Sequence, residues 1–305
     1  MKRLSTAFAL SVLLCGVGVA TTGAQGQGQS HGQGNQGQGG PPPVSEPPMS
    51  GIQWARGQAG PPGGGGGSPL LVSHGGPIMA TGAYVEPIFW GPGWSNPGDK
   101  ISGIQSFYGG MGSTSYDATN SEYTQPGGAH VGMSVALGPS HTDLSDAVKN
   151  GSRTAPILAE VCSKATNLMT DGYYPVYIDQ PRGHAGFCAW HSAGTCPNGV
   201  TVQFAFFFKL DGDAGCDPND TVTNHSQGLA ALANVSGHEL SEAVTDPRNG
   251  GWWDKSGAEN ADKCAWTFNG LVSFGSEQWK IQGNWSNAAY SARSGYDGAG
   301  CIQTK

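Results

Sequence analysis

Six of the seven cysteines fall between positions 162 and 301, and the seventh, Cys15, sits in an apolar run close to the N-terminus. The opening residues MKRLSTAFALSVLLCGVGVATTGAQG set Lys2 and Arg3 ahead of an apolar stretch from about Ala7 to Ala20, with small residues after it. These are the three zones of a secretory signal peptide, expected to span 1–24 with cleavage after Ala24, so that Cys15 leaves with it. The remaining set, Cys162, Cys188, Cys196, Cys216, Cys264 and Cys301, is even in number. In an oxidising compartment it predicts three disulfides, although six cysteines allow about 15 pairings. The preferred pairing joins Cys264 to Cys301 and finds the other partners among Cys162 to Cys216.

The chain carries 15 Lys and Arg against 22 Asp and Glu, a net charge of −7, and two of the basic residues belong to the leader. An acidic exported chain is a poor partner for nucleic acid or an anionic membrane. No other apolar run approaches the roughly 20 residues that span a bilayer. A secreted, soluble product is expected, extracellular or periplasmic. Gln25 to Ser68 is dominated by Gly, Gln and Pro, with Glu46 and Arg56 as its only charges. So little apolar surface cannot offset the entropy of ordering, and 25–68 reads as a disordered tether. A single globular domain is expected over 69–305.

Within that domain Tyr84 to Trp90, His130 to Leu137, Tyr173 to Asp179 and Val200 to Phe208 are short β-branched or aromatic runs bounded by Gly, Pro and Asp, the pattern of strands. Asp99 to Tyr108 and Thr154 to Thr170 have helical spacing. In the second, Ile157, Leu158, Val161, Ala165, Leu168 and Met169 share a face. Alternating strands and helices predict an α+β fold, a mixed β-sheet covered by helices and tied by disulfides.

A further helix is expected from about Ser226 to Thr245, where Leu229, Leu232, Ala233, Ser236, Leu240, Ala243 and Val244 recur at three- and four-residue steps. Asn224 or Ser226 can cap its start, and Pro247 disfavours helix at Asp246. This helix carries GHELSEAVTDP. His238 and Glu242 lie one turn and about 40° apart, so both can reach one metal ion. Glu239 is turned about 100° from His238, where the glutamate of H-E-x-x-H zinc peptidases takes a proton from the attacking water. A catalytic zinc site needs a third protein ligand and an open position. Asp254, Glu259 and Asp262 follow in GWWDKSGAENADKCAW, with Asp246 closer. Glu259 is the leading candidate, because it stands 21 residues after His238 as in the gluzincin peptidases. Asp262 could then orient His238 through its second ring nitrogen. Glu242 stands where those enzymes have a second histidine. The additional carboxylate lowers the acidity a zinc ion would confer and brings calcium into consideration beside zinc.

The stretch GGPIMATGAYVEPIFWGPGW, the tract FCAWHSAGTC, then GHELSEAVTDP and GAENADKCAW together resemble the EXORDIUM / phosphate-induced protein family and its bacterial relatives. The likeness runs over most of Gly75 to Cys301, and the order of the motifs is more specific than any one of them. It implies export, with cell-wall association, and carries over His238, Glu239, Glu242, Glu259, Asp262 and Cys264. It supplies no defined activity.

Two functions therefore stand. The first is a secreted metal-dependent peptidase of zincin-like architecture, acting on a peptide or protein, with His238, Glu242 and Glu259 holding the metal and Glu239 as base. The second is a non-catalytic extracellular protein in which the same residues bind a structural ion or only hydrogen-bond. Three weaker signals have ordinary explanations. Cys188 and His191 are close enough for a zinc knuckle, but disulfides account for the cysteines. DGDAGCDPND resembles a calcium loop but lacks its terminal glutamate. The tryptophans could line a sugar cleft or fill the core.

Overall fold

The computed structural model of the chain describes residues 46–58 and 69–305; the expected signal peptide and the rest of the expected tether lie outside the described residues. Part of the tether is not a tether. Ser50–Trp54 is a strand, β1, of the main sheet, and its Gln53 is buried. Composition predicted the opposite because, averaged over 25–68, it hides the short apolar set of Met49, Ile52 and Ala55, which packs on the core. β1 is also ordered by backbone pairing to a neighbouring strand that no local pattern reveals.

After a short strand, β2 (Val72–Ser73), come β3 (Ala83–Val85) and β4 (Ile88–Trp90), helix α1 (Lys100–Met111), and β5 (Val135–Leu137) and β6 (His141–Asp143). Helix α2 (Thr154–Lys164) then leads to the long strands β7 (Gly172–Pro181), β8 (Phe187–Thr195) and β9 (Thr201–Lys209), and these to helix α3 (Gln227–Thr245). The chain closes with short pieces: β10 (Trp252–Trp253), β11 (Val272–Phe274), β12 (Glu277–Trp279), β13 (Asn284–Trp285), α4 (Asn287–Ser291) and β14 (Cys301–Ile302).

The principal sheet has eight strands in the order β1-β8-β9-β7-β3-β5, with β4 joining β7 to β6. Pairing is parallel from β9 through β7 to β3, β4, β5 and β6, and antiparallel where β8 meets β9 and β1 meets β8. The expected α+β class with a helix-covered mixed sheet is what the chain forms. β9 is buried along almost its whole length, which explains its unbroken FAFFF run: a strand covered on both faces has no polar side to alternate with.

Successive side chains of a strand point to opposite faces. On β8, Trp190 stacks on Phe206 and donates from Nε1 to the Gly151 carbonyl beside α2, while the next residue, His191, faces α3. Tyr177 of β7 likewise faces the α3 side, where its hydroxyl meets those of Ser236 and Tyr108. Helix α2 thus covers one face of the sheet, and α1 and α3 the other.

Three expected elements are shorter than their patterns suggested. Tyr84 to Trp90 is not one strand but two, parted at Glu86 and Pro87; proline has no N–H for a ladder. Helix α2 stops at Lys164, leaving Ala165, Leu168 and Met169 outside it. The chain turns there because the backbone N–H groups of Thr166 and Asn167 donate to the buried Glu86 carboxylate at 2.6 and 3.3 Å. A helix continuing through these residues would point the same donors along its own axis. β8 was not among the expected strands. His130 to Leu137 is strand only over its last three residues.

All three disulfides form: Cys162–Cys196, Cys188–Cys216 and Cys264–Cys301. The first ties the end of α2 to the turn after β8, the second β8 to the loop after β9. The third ties the turn after Glu259 to β14. No described helix is long and apolar enough to cross a membrane.

Candidate metal centre

Helix α3 begins where expected, with the Ser226 side chain accepting from Leu229 N at 3.2 Å and the chain leaving the helix at Asp246 before Pro247. It is buried on every side. His238, Glu239 and Glu242 are all fully inaccessible, so the acidic stretch is not a solvated face. Burial follows from placement: the sheet lies under α3, β1 crosses beside it, and the segment 259–262 covers its C-terminal half.

Two overlapping groups of possible ligand atoms result, each with its atoms within 4.8 Å of one another: His191 with Glu239 and Glu242, and His238 with Glu242 and Asp262. His238 Nε2 lies 3.1 Å from Glu242 Oε1 and 3.7 Å from Asp262 Oδ1. His191 Nε2 lies 3.9 Å from Glu242 Oε2 and 3.3 Å from Glu259 Oε2. Sequence reasoning considered His191 only as a knuckle partner of Cys188 and missed its place beside α3. Its signal was present, since a lone histidine inside a strand with apolar neighbours and a buried face has to find a polar partner, but the strand itself went unread.

The hydrogen bonds separate the two groups. Gln282 donates from Nε2 to the Ala261 carbonyl at 2.8 Å and lies 3.0 Å from His238 Nδ1 through the same nitrogen. Its Oε1 accepts from Trp266 N at 3.4 Å and from Gln53 Nε2 at 2.9 Å. A backbone carbonyl at one end and a backbone N–H at the other fix which end of the amide is which. His238 Nδ1 is therefore an acceptor, and the ring proton is on Nε2, the nitrogen aimed at Glu242. A histidine that ligates through Nε2 needs the opposite tautomer. The expected role of Asp262 as the orienting partner on the second ring nitrogen is filled by Gln282 instead.

His191 has no such commitment. Both of its ring nitrogens, both Glu239 carboxylate oxygens, Glu242 Oε2 and Glu259 Oε2 are buried without a hydrogen-bond partner, as is Nε2 of His238 in the other group. Buried polar atoms are nearly always paired, and several orphans converging on one point fit an ion. One nitrogen with carboxylates is a donor set for zinc; calcium takes six to eight oxygens.

Of the other expected residues, Glu259 pairs with His191. Asp246 is spoken for: its Oδ1 accepts from Gly250 N and Gly251 N, both at 2.7 Å, holding the turn after α3. Asp254 is likewise consumed by Ser256, Ala258 and Lys263. Cys188, Cys196 and Cys216 are in disulfides, which removes the zinc-knuckle reading. The calcium-like loop spends its carboxylates separately, Asp213 on Arg182 and Asp220 on Thr223 and Val222.

Electrostatics match the geometry. Burial, reinforced by neighbouring carboxylates, holds Glu239 and Glu259 well above the usual carboxylate range. Burial pushes Glu242 up to about 7 against the opposing pull of His191, and pushes Asp262 up to about 7 with the help of Glu242. Burial lowers His191, and lowers His238 to about 4. Without an ion the cluster keeps protons on carboxylates and none on the second nitrogen of either ring, so an ion entering it would displace protons. On the side of Glu259 and Asp262 lies a cavity of about 330 Å³, also lined by Met49, Ile52 and Trp253.

Comparison with protein-family models, with curated proteins and with solved structures finds no match for this chain.

Proposed function

We propose that this chain is a secreted zinc-dependent peptidase whose ion is held by His191 of β8 and by Glu239 and Glu242 of α3. The observation that carries this reading is the convergence of buried, unpartnered nitrogen and carboxylate atoms from two elements on one point. Glu239 and Glu259 then exchange the roles that spacing alone assigned them. Glu239 joins the ligands, and Glu259, which lies between His191 and the cavity, takes the proton of the attacking water. Zinc bound there would supply Lewis acidity to a peptide carbonyl and lower the pKa of water. His238 stands beside Glu242, its Nε2 3.1 Å from Oε1, with Gln282 holding the ring. A mixed sheet with an antiparallel edge beside a helix bearing H-E-x-x-E is the zincin-like feature that supports a peptide substrate. The EXORDIUM-type motif order supports export to a cell wall.

The rival reading, a structural ion in a non-catalytic wall protein, is favoured by one observation: β1 closes the cluster from solvent. Metal content and peptide hydrolysis decide between them. The purified full chain should carry about one zinc per chain. His191→Ala should weaken zinc binding by more than about a hundredfold, beyond the 10- to 100-fold that partners outside the ligand set command. His238→Ala should stay within that range. Equal losses in the two variants would return the site to the ligands expected from the motif, and absence of zinc at saturation would end the proposal. Zinc without hydrolysis, in a chain opened as described next, would leave the structural ion.

A further inference from the structure

Strand β1 reaches the cluster by an unusual route. It pairs antiparallel with β8, Ser50 opposite His191 and Gln53 opposite Ala189, so that three steps on β1 match two on β8 and the strand bulges between them. The bulge contains Gly51, at a φ of 45°. A Cβ at this position would overlap the Glu242 carboxylate and the His191 ring. The main chain of β1 therefore lies against the ligand atoms, and only glycine allows it.

β1 is held by side chains, Ser50 on Asn249 and Gln53 on Gln282, and by recognition of its backbone. Beyond the ladder to β8, Ser192 Oγ donates to the Pro48 carbonyl at 2.6 Å and Trp266 Nε1 donates to the Trp54 carbonyl at 2.8 Å. Arg56 N donates to the Gly215 carbonyl at 2.8 Å. Without β1, strand β8 would be the edge of the sheet. An extended chain added to a sheet edge, held by main-chain hydrogen bonds with pockets for alternate side chains, is a standard mode of peptide recognition. A cavity lined by Met49, Ile52 and Glu259 opens beside this groove.

We infer that residues 46–58 occupy the peptide-binding groove of the centre as a self-ligand, and that the groove takes an extended peptide with glycine facing His191 and Glu242. The inference rests on the proposed centre for its purpose, but binding along β8 requires no ion, so the two can fail separately.

The probe is a labelled peptide, EPPMSGIQWARGQ, copying residues 46–58. In the unmodified chain the tethered copy, at an effective concentration of order millimolar, should keep it out. Two opened forms of the full chain are compared: Gly51→Val, and a chain cut at a protease recognition sequence introduced within 59–68. Both should bind the probe at least about tenfold more tightly than the unmodified chain, and a probe with valine in place of its glycine should bind at least about tenfold more weakly than the original. If Gly51→Val does not fold, the cut chain decides. A cut chain with a native near-ultraviolet spectrum that takes up no probe, or an unmodified chain that takes it up equally well, overturns the inference. Zinc content is read in parallel. Probe uptake without zinc leaves the groove and removes the centre, whereas zinc without uptake does the reverse.

Discussion

Two buried carboxylate sites in this molecule are treated in opposite ways. Glu86, between β3 and β4, is fully inaccessible and has its oxygens filled by Thr166 N at 2.6 Å, Thr166 Oγ1 at 2.8 Å, Asn167 N at 3.3 Å and His141 Nε2. Burial alone would raise its carboxyl; hydrogen bonds from Thr166 and His141 overcome that and leave it below the usual value. At the α3 cluster burial outweighs the pull of the histidines and of the backbone N–H groups, and the carboxylates are raised. A buried carboxylate whose lone pairs are filled by its own chain serves the fold, and one whose lone pairs are left open is arranged for something else to fill them.

Four measurements test this contrast. The largest effect is expected at Glu259, where Glu259→Gln should reduce peptide hydrolysis by the opened chain by about 10²-fold or more, the worth of a positioned proton acceptor, with zinc content unchanged; loss of zinc instead would make Glu259 a ligand. Next, Glu86→Gln places an amide NH₂ against donors and should destabilise the protein at neutral pH by about 3 kcal/mol, as breaking a buried charged network does. Urea unfolding measures it, and a change under about 1 kcal/mol would show the network to be dispensable. Glu242→Gln, in chelator-treated protein, should change stability by no more than about 1 kcal/mol, because the carboxyl it replaces is partly uncompensated; a cost as large as that at Glu86 would erase the contrast.

The smallest effect is in pH dependence, where the two sites have opposite signs. Glu86, lowered in the folded protein, contributes stability that is present above its ordinary value of 4.5 and is lost as pH falls through its folded value. Glu242 and Asp262, raised from 4.5 and 3.8 to about 7, contribute stability that is present below those ordinary values and is lost as pH rises to about 7. An ion binds the deprotonated forms. The melting temperature lost on chelation should therefore grow by a few degrees, about 2–4 °C per kcal/mol, between roughly pH 5 and pH 8. A gap that is constant or shrinks would mean that Glu242 does not meet the ion.

Local pattern was a good guide where local forces rule. Helix α3, its Ser226 cap and its end before Pro247 were all legible, because capping and proline sterics act within a few residues. The Cys264–Cys301 pairing was legible too, as the two cysteines stand apart from the others in the chain. The helix expected to Thr170 failed at Lys164 because its continuation has donors that a distant carboxylate, Glu86, needs more than the helix does.

Helical periodicity alone sets His238, Glu239 and Glu242 on adjoining turns of α3, with acidic residues after them. Which of these atoms face one another, and which are already satisfied, was decided only by tertiary structure. His191 reaches Glu242 across 51 positions of chain because β8 pairs with β9 in a register that turns it toward α3. Gln282 sets the His238 ring from 44 positions away. Gly51 closes the cluster from a segment whose composition argued against any structure. Periodicity reports one element's own faces, whereas the partner of a face depends on sheet order and register, which are settled by the packing of the whole chain.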